Sequence, residues 1–215
     1  MADTRKPAKE VAQNRGNGAF WIDHAVVTES DFAWLHEAKA LTLWNVSLPP
    51  GFLAKLPYLE GLDWRGGSAS NLGLLEGVSG LRFLVVNQVR GLTDISHLAS
   101  LSKLKLLSLY GLSKITELPP LHALHSLLRL ELGQMKLLRS ISPALEAPNL
   151  QELLLAKQVG ITSEDVSAIR QHKSLSRFRW DAIDVPNKVW EPVVAQVNLP
   201  SAKAEFPHEW YAANA

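Results

Sequence analysis

An L-x-x-L-x-L pattern returns along this chain at nearly constant spacing, and no other feature restricts the fold as much. Leu81, Leu84 and Val86 form one copy, followed by Leu104, Leu107, Leu109; Leu127, Leu130, Leu132; and Leu150, Leu153, Leu155. Looser copies are Leu59, Leu62, Trp64 and Leu175, Phe178, Trp180, and an incomplete one is Ala38, Leu41, Leu43. From first position to first position the spacings are 21, 22, 23, 23, 23 and 25 residues. Such a period marks a stack of small units, each unable to bury its apolar side alone.

Within one copy the apolar residues follow two periods. The L-x-L start alternates, as a short strand requires. The remainder steps by threes, as in Val89, Leu92, Ile95, Leu98, Leu101 and in Leu112, Ile115, Leu118, Leu121, Leu124. Three residues turn an α-helix by about 300°, so such a stripe would drift by about 60° per step. A 3₁₀ or polyproline-like path keeps it on one side. Pro119-Pro120 also disfavours a regular helix there. The expected unit is a strand, a turn and a tight return.

These residues are similar to the leucine-rich-repeat superfamily in its short bacterial form, and the stretch from Leu92 to Leu109 resembles internalin-type repeats. The resemblance covers about residues 38–182. It implies an α/β solenoid: a right-handed coil with a parallel concave β-sheet and a convex side that is mostly 3₁₀ or extended, with few helices. One departure stands out. Where the family places Asn at the ninth position, this chain has Val89, Leu112 and Met135, so its turns must be satisfied in another way.

The expected organisation is a disordered tail over residues 1–18, an N-terminal cap over 19–40, repeats over 38–182 and a C-terminal cap segment over 183–215. A strand is expected near 21–27, a short helix near 30–38, and a helix near 162–170 with Thr162 or Ser163 as its cap.

By alternation, residues flanking the inward leucines form three columns on the concave side. Trp44, Phe83 and Tyr110 place aromatics there, joined by Val85 and Leu106 and bordered by Asp63 and Arg65. Arg129, Glu131, Glu152, Arg177 and Arg179 make a charged second half. Aromatic and Arg residues around an apolar centre are what protein interfaces favour, so these twelve residues are the expected protein-binding surface. The competing view is that the aromatics pack on one another or under a terminal cap. Trp64 and Trp180 replace inward leucines and are expected in the core.

Enzymatic chemistry is not expected. The chain has no cysteine, and no phosphate-cradling loop, nucleophile elbow or dinucleotide fingerprint appears. His122 and His125 lack a third ligand at metal spacing. Asp63 and Glu131 lie three strands apart, roughly 14 Å, too far for paired-carboxylate catalysis. No metal or cofactor is expected. Lys and Arg total 22 against 21 Asp and Glu, a net charge of +1, without the excess that nucleic-acid or membrane-surface binding needs. No signal-like or membrane-spanning run is seen, which points to the cytoplasm.

The expected function is non-enzymatic protein–protein recognition through the concave face by a chain that is monomeric when unbound. The resemblance suggests a narrower form, a bacterial immunity or inhibitor protein that neutralises a toxin. The alternatives are a specificity or scaffold arm of a regulatory or enzyme complex, and a self-associating structural protein.

Overall fold

A computed structural model describes residues 5–214. The chain begins with β1 (Lys6–Pro7), α1 (Ala8–Val11), β2 (Gln13–Gly16), β3 (Ala19–Asp23), β4 (Ala25–Val26) and α2 (Phe32–Leu35). The repeated segments supply β5 (Ala40–Trp44), β6 (Gly61–Arg65), β7 (Phe83–Asn87), β8 (Leu106–Tyr110), β9 (Arg129–Met135) and β10 (Glu152–Val159). Then come α3 (Ser163–Gln171), β11 (Arg177–Asp181), α4 (Asn187–Val197) and α5 (Pro207–Asn214). The returns between strands carry short 3₁₀ turns, for example Leu53–Lys55, Gly73–Leu75 and Ser96–Ser100.

The expectation of an α/β solenoid with an all-parallel concave sheet is corrected by the sheet itself. It is an open, mixed sheet of nine strands in the order β11-β10-β9-β8-β7-β6-β5-β3-β2, with a separate two-stranded pair of β1 and β4. β2 runs antiparallel to β3. The physical reason lies at Gly16-Asn17-Gly18, whose φ angles of 84°, 53° and 76° are all positive. Left-handed residues in a two-strand connection reverse the chain into an antiparallel hairpin. The disordered tail expected over 1–18 is corrected with it: residues 6–16 form β1, α1 and β2, and Ala8 is fully buried. The part of that tail over residues 1–4 lies outside the described residues.

The other strands pair in parallel, residue for residue over their five-residue cores, and β9 and β10 slip in register beyond Ala156. One inward column runs Phe20, Leu41, Leu62, Leu84, Leu107, Leu130, Leu153, Phe178, and the next runs Ile22, Leu43, Trp64, Val86, Leu109, Leu132, Leu155, Trp180. Together with the every-third residues of the returns they make one continuous core. Trp64 and Trp180 are buried in it, and the Trp180 indole donates to the Lys157 carbonyl at 2.8 Å. This side is called the leucine face below, and the opposite side the second face.

The turns that lack an asparagine ladder are satisfied by main chain. In β3 and in β5 to β10 the residue after the five-residue strand core adopts a left-handed conformation: His24, Asn45, Gly66, Gln88, Gly111, Gln134 and Lys157, with φ between 47° and 67°. That rotation lets the ladder continue one residue further. His24 N donates to Trp44 O, Asn45 N to Arg65 O, Gly66 N to Asn87 O and Gln88 N to Tyr110 O, each at 2.8 Å. With these amides paired, position nine is free to be apolar, and Val89, Leu112 and Met135 are all buried.

At the far end, α3 starts at Thr162, whose hydroxyl accepts from Asp165 N while the Asp165 carboxylate accepts from Thr162 N. α4 packs on α3 and β11 and stops at Asn198, which is left-handed with φ 49°. The chain then crosses the sheet edge, where Phe178 N donates to Pro200 O at 3.0 Å, and runs back over the second face to α5. Among the described residues no helix is long and apolar enough to cross a membrane.

Candidate functional site

The strand register sets the second face in three columns. The first is Ala19, Ala40, Gly61, Phe83, Leu106, Arg129, Glu152, Arg177; the second is Trp21, Thr42, Asp63, Val85, Ser108, Glu131, Leu154, Arg179. The third is Asp23, Trp44, Arg65, Asn87, Tyr110, Gly133, Ala156, Asp181. All twelve expected binding residues therefore lie on one face. They do not share one environment.

Five of them are buried: Asp63, Phe83, Val85, Leu106 and Arg129. For Phe83, Val85 and Leu106 the cover is α5, which packs on β7 and β8 and whose Trp210 joins them in a second, smaller apolar cluster. Tyr211 adds a ring contact to Phe83 at 5.4 Å between centroids. The expectation that these three stand free for a partner is thus corrected. An apolar strip on the second face is covered by the chain itself, which removes it from water as any core would.

Arg129 is completely buried, and charge explains how it can be. Its Nε donates to Glu131 at 2.7 Å and Nη1 to Glu152 at 2.7 Å. Its Nη2 reaches the carbonyls of Lys203 and Glu205 at 3.3 and 3.4 Å, and its guanidinium lies over the Trp210 ring at 5.7 Å. Burial pushes the Glu131 carboxyl above its usual range, and Arg129 only partly offsets that. Arg177 sits at the rim, 3.6 Å from Glu152 and nearly half exposed. Arg179 is paired with Asp181 at 2.7 Å. The charged half is therefore a network folded inward around Arg129, not a free charged edge, and Arg129 is corrected from a contact residue to a buried anchor.

The accessible part lies toward the N-terminal strands and along the third column. Trp44 is 40% exposed. Its ring is 6.2 Å from that of Trp21, and the guanidiniums of Arg15 and Arg65 lie 5.7 and 5.8 Å from the Trp21 ring. Asp63 accepts two hydrogen bonds from Arg65, at 2.8 and 2.7 Å, so Asp63 fixes the guanidinium while Arg65 keeps one side open. Those bonds also raise the Arg65 pKa further. Tyr110 is half-buried; its ring lies against Gly133, where an added Cβ would collide with it.

Between Tyr110 and the C-terminal segment the face forms a cleft of about 540 Å³, a size typical of ligand sites. Its floor includes Val85, Tyr110, Glu131 and Leu154, and its roof is Ala204 to Pro207 with Glu209. Arg65 stands at one end and Asp181 at the other.

Sequence reasoning missed Trp21 and Arg15 as site members, although Asn17-Gly18 is a strong hairpin signal that would have placed both on the sheet. It also missed Trp210, for which residues 199–214 carry no local signal. Among the described residues no group of three or more His, Cys, Asp or Glu could hold a metal ion. Comparison with protein-family models and with curated proteins finds no match for this chain.

Proposed function

We propose that this protein recognises another protein through the uncovered strip of its second face, and that the strip does no chemistry. The observation that carries this reading is the cluster of Trp21, Trp44, Arg15 and Arg65, continuous along the third column with Asn87 and Tyr110. A large exposed indole normally costs hydration free energy, and proteins seldom leave one beside a second indole and two stacked guanidiniums without use. Trp, Tyr and Arg are also the residues that dominate binding energy at protein interfaces. Arg65, held by two hydrogen bonds to Asp63, favours tight association, because a side chain already held in place loses little entropy on binding.

The test is capture of a partner from the native cell extract by the intact protein and by a Trp44→Ala/Tyr110→Ala variant. Phe83 is left out because it is packed beneath Trp210 and its loss would disturb the fold. Each truncated anchor is expected to cost about 2 kcal/mol of binding, so the double variant should lose capture while keeping its thermal transition. Retained capture of the same partner would remove this strip as the binding surface.

A further inference from the structure

The second face already holds one occupant, and its character describes the ligand this surface fits. Residues 199–206 have no regular secondary structure apart from a few hydrogen bonds, and α5 is only eight residues long. A helix of that length is not stable by itself in water, so its order depends on its seat. The seat is Phe83, Val85 and Leu106 below Trp210, with the Arg129 guanidinium over the indole.

The fastening is loose in three respects. The two bonds from Arg129 to the carbonyls of Lys203 and Glu205 are long, at 3.3 and 3.4 Å, and the bond from Lys105 to Asn214 is exposed. The Tyr211 hydroxyl is buried without a hydrogen-bond partner among the described residues. Burial and the Glu60 carboxylate raise its pKa, while Arg82 lies near enough to act on the hydroxyl as a charge and as a donor and lower it, though not at normal hydrogen-bond geometry. A buried hydroxyl without a well-formed hydrogen bond weakens whatever buries it. Finally, the segment leaves a cleft of about 540 Å³ beneath residues 204–209, while Phe206 on its roof is 68% exposed.

We propose that residues 199–214 are a displaceable strap, and that the partner of the second face presents a short helix with an aromatic side chain that takes the place of Trp210. The proposal rests on the second face being a protein-binding surface, and it extends that surface from the open Trp44–Tyr110 strip to the strip under α5. The partner's ring would stand on Phe83 and Leu106, and Arg129 would supply its donors to main-chain carbonyls of the partner as it now does to those of Lys203 and Glu205. The strap would then act as a tethered competitor, present at an effective concentration of about 1 mM, so that only a segment fitting better than Trp210 gains entry.

The experiment uses the full chain and a synthetic peptide of residues 199–214. The peptide is expected to bind a Trp210→Ala/Tyr211→Ala variant at least about tenfold more tightly than the unaltered protein, because the tethered competitor has lost its anchors. A peptide carrying the same two alanines should not bind. A folded double variant that ignores the peptide overturns the proposal. Hydrogen exchange on the unaltered protein decides the matter even if the double variant does not fold. Amides of α5 should exchange through an opening that leaves β7 and β8 protected, and exchange of the most protected α5 amides only on global unfolding overturns it. Neither measurement involves Trp44 or Tyr110, so failure here leaves the open strip standing. Loss of the open strip leaves these two results unchanged.

Discussion

Replacing Arg129 by alanine should destabilise the protein by about 3–5 kcal/mol, the usual cost of removing one partner from a buried charge network. The change leaves Glu131 and Glu152, whose side chains are only 15% and 12% exposed, without the cation that offsets their burial. It also removes the donors to Lys203 and Glu205 and the cation over Trp210. Urea unfolding at neutral pH measures it. The loss should shrink on acidification. Glu131 already has its folded pKa above the ordinary value, and without Arg129 it rises further. A carboxyl raised in this way contributes stability that is fully present below its unfolded pKa and is lost as pH rises through its folded pKa. The variant should therefore recover part of its deficit between neutrality and about pH 4, the unfolded glutamate value. Arg177→Ala is the control: its guanidinium is 45% exposed and 3.6 Å from Glu152, and its loss should cost at most about 1 kcal/mol. Equal losses for the two variants would contradict the description of Arg129 as the buried centre.

Asp165→Ala should be the second most damaging change. Asp165 is fully buried, yet among the described residues it has no ion-pair partner; its carboxylate accepts from neutral hydrogen-bond donors. Oδ1 accepts from the Ser140 and Ser142 hydroxyls, both at 2.6 Å, and from the amides of Ile141 and Ser142 at 3.1 and 2.8 Å. Oδ2 accepts from Thr162 N at 2.8 Å. One carboxylate thus caps α3 and pins it to the 3₁₀ turn Ser142–Glu146 of the preceding return. Removing it leaves the Ile141 and Thr162 amides without their acceptor, while Ser142 N keeps Ser140 Oγ at 3.1 Å, and at about 1–3 kcal/mol for each unmatched group the total should be about 3 kcal/mol or more. Asparagine should be intermediate, since it keeps one acceptor. Burial by itself would raise this carboxyl, but the bonds from Ser140, Ser142, Thr162 and Ile141 outweigh it and hold it below the ordinary aspartate range. A carboxyl depressed in the fold contributes stability above its unfolded pKa, and that contribution is lost as pH falls through the folded value. The unaltered protein should therefore lose this share of its stability below about pH 4, and the Asp165→Ala variant should show a flatter acid limb in the same range.

The strand ladder was legible because it is written twice in the chain, once in the alternation of Leu84 with Val86 and again in the spacing to Leu107 and Leu130. Period two fixes which side chains share a face, so the three columns of the second face could be assigned before any coordinate. The helix after Thr162 was legible for the same kind of reason, because its cap and its acidic first turn are adjacent in sequence. The left-handed residue that closes each strand was harder to see. Gly66 and Gly111 announce it, whereas His24, Gln88 and Lys157 hold the same conformation without a residue type that signals it.

Two features were not fully legible, and both concern the ends. The polar sequence of residues 13–16 hides an edge strand, which can be polar because one of its sides has no neighbour and its faces stay exposed. That strand makes the sheet mixed and brings Arg15 onto Trp21. The strap was legible only in part: residues 183–215 read as a cap and the competing view puts the aromatics under one, but nothing local marks Trp210 or its seat. Whether Trp210 seats on Phe83 or faces water depends on a contact more than a hundred residues away in sequence, and no local period encodes such a contact. This is why Phe83, Val85, Leu106 and Arg129 were expected on the free surface and lie beneath α5.

The most direct measurement is a hydrogen-exchange footprint of the partner-bound protein, taken against the free protein. The account predicts new protection in the peptides that carry Trp21, Trp44, Arg65 and Tyr110, with none in the returns around Leu98 and Leu121. Protection confined to those returns, with the second face unchanged, would contradict it.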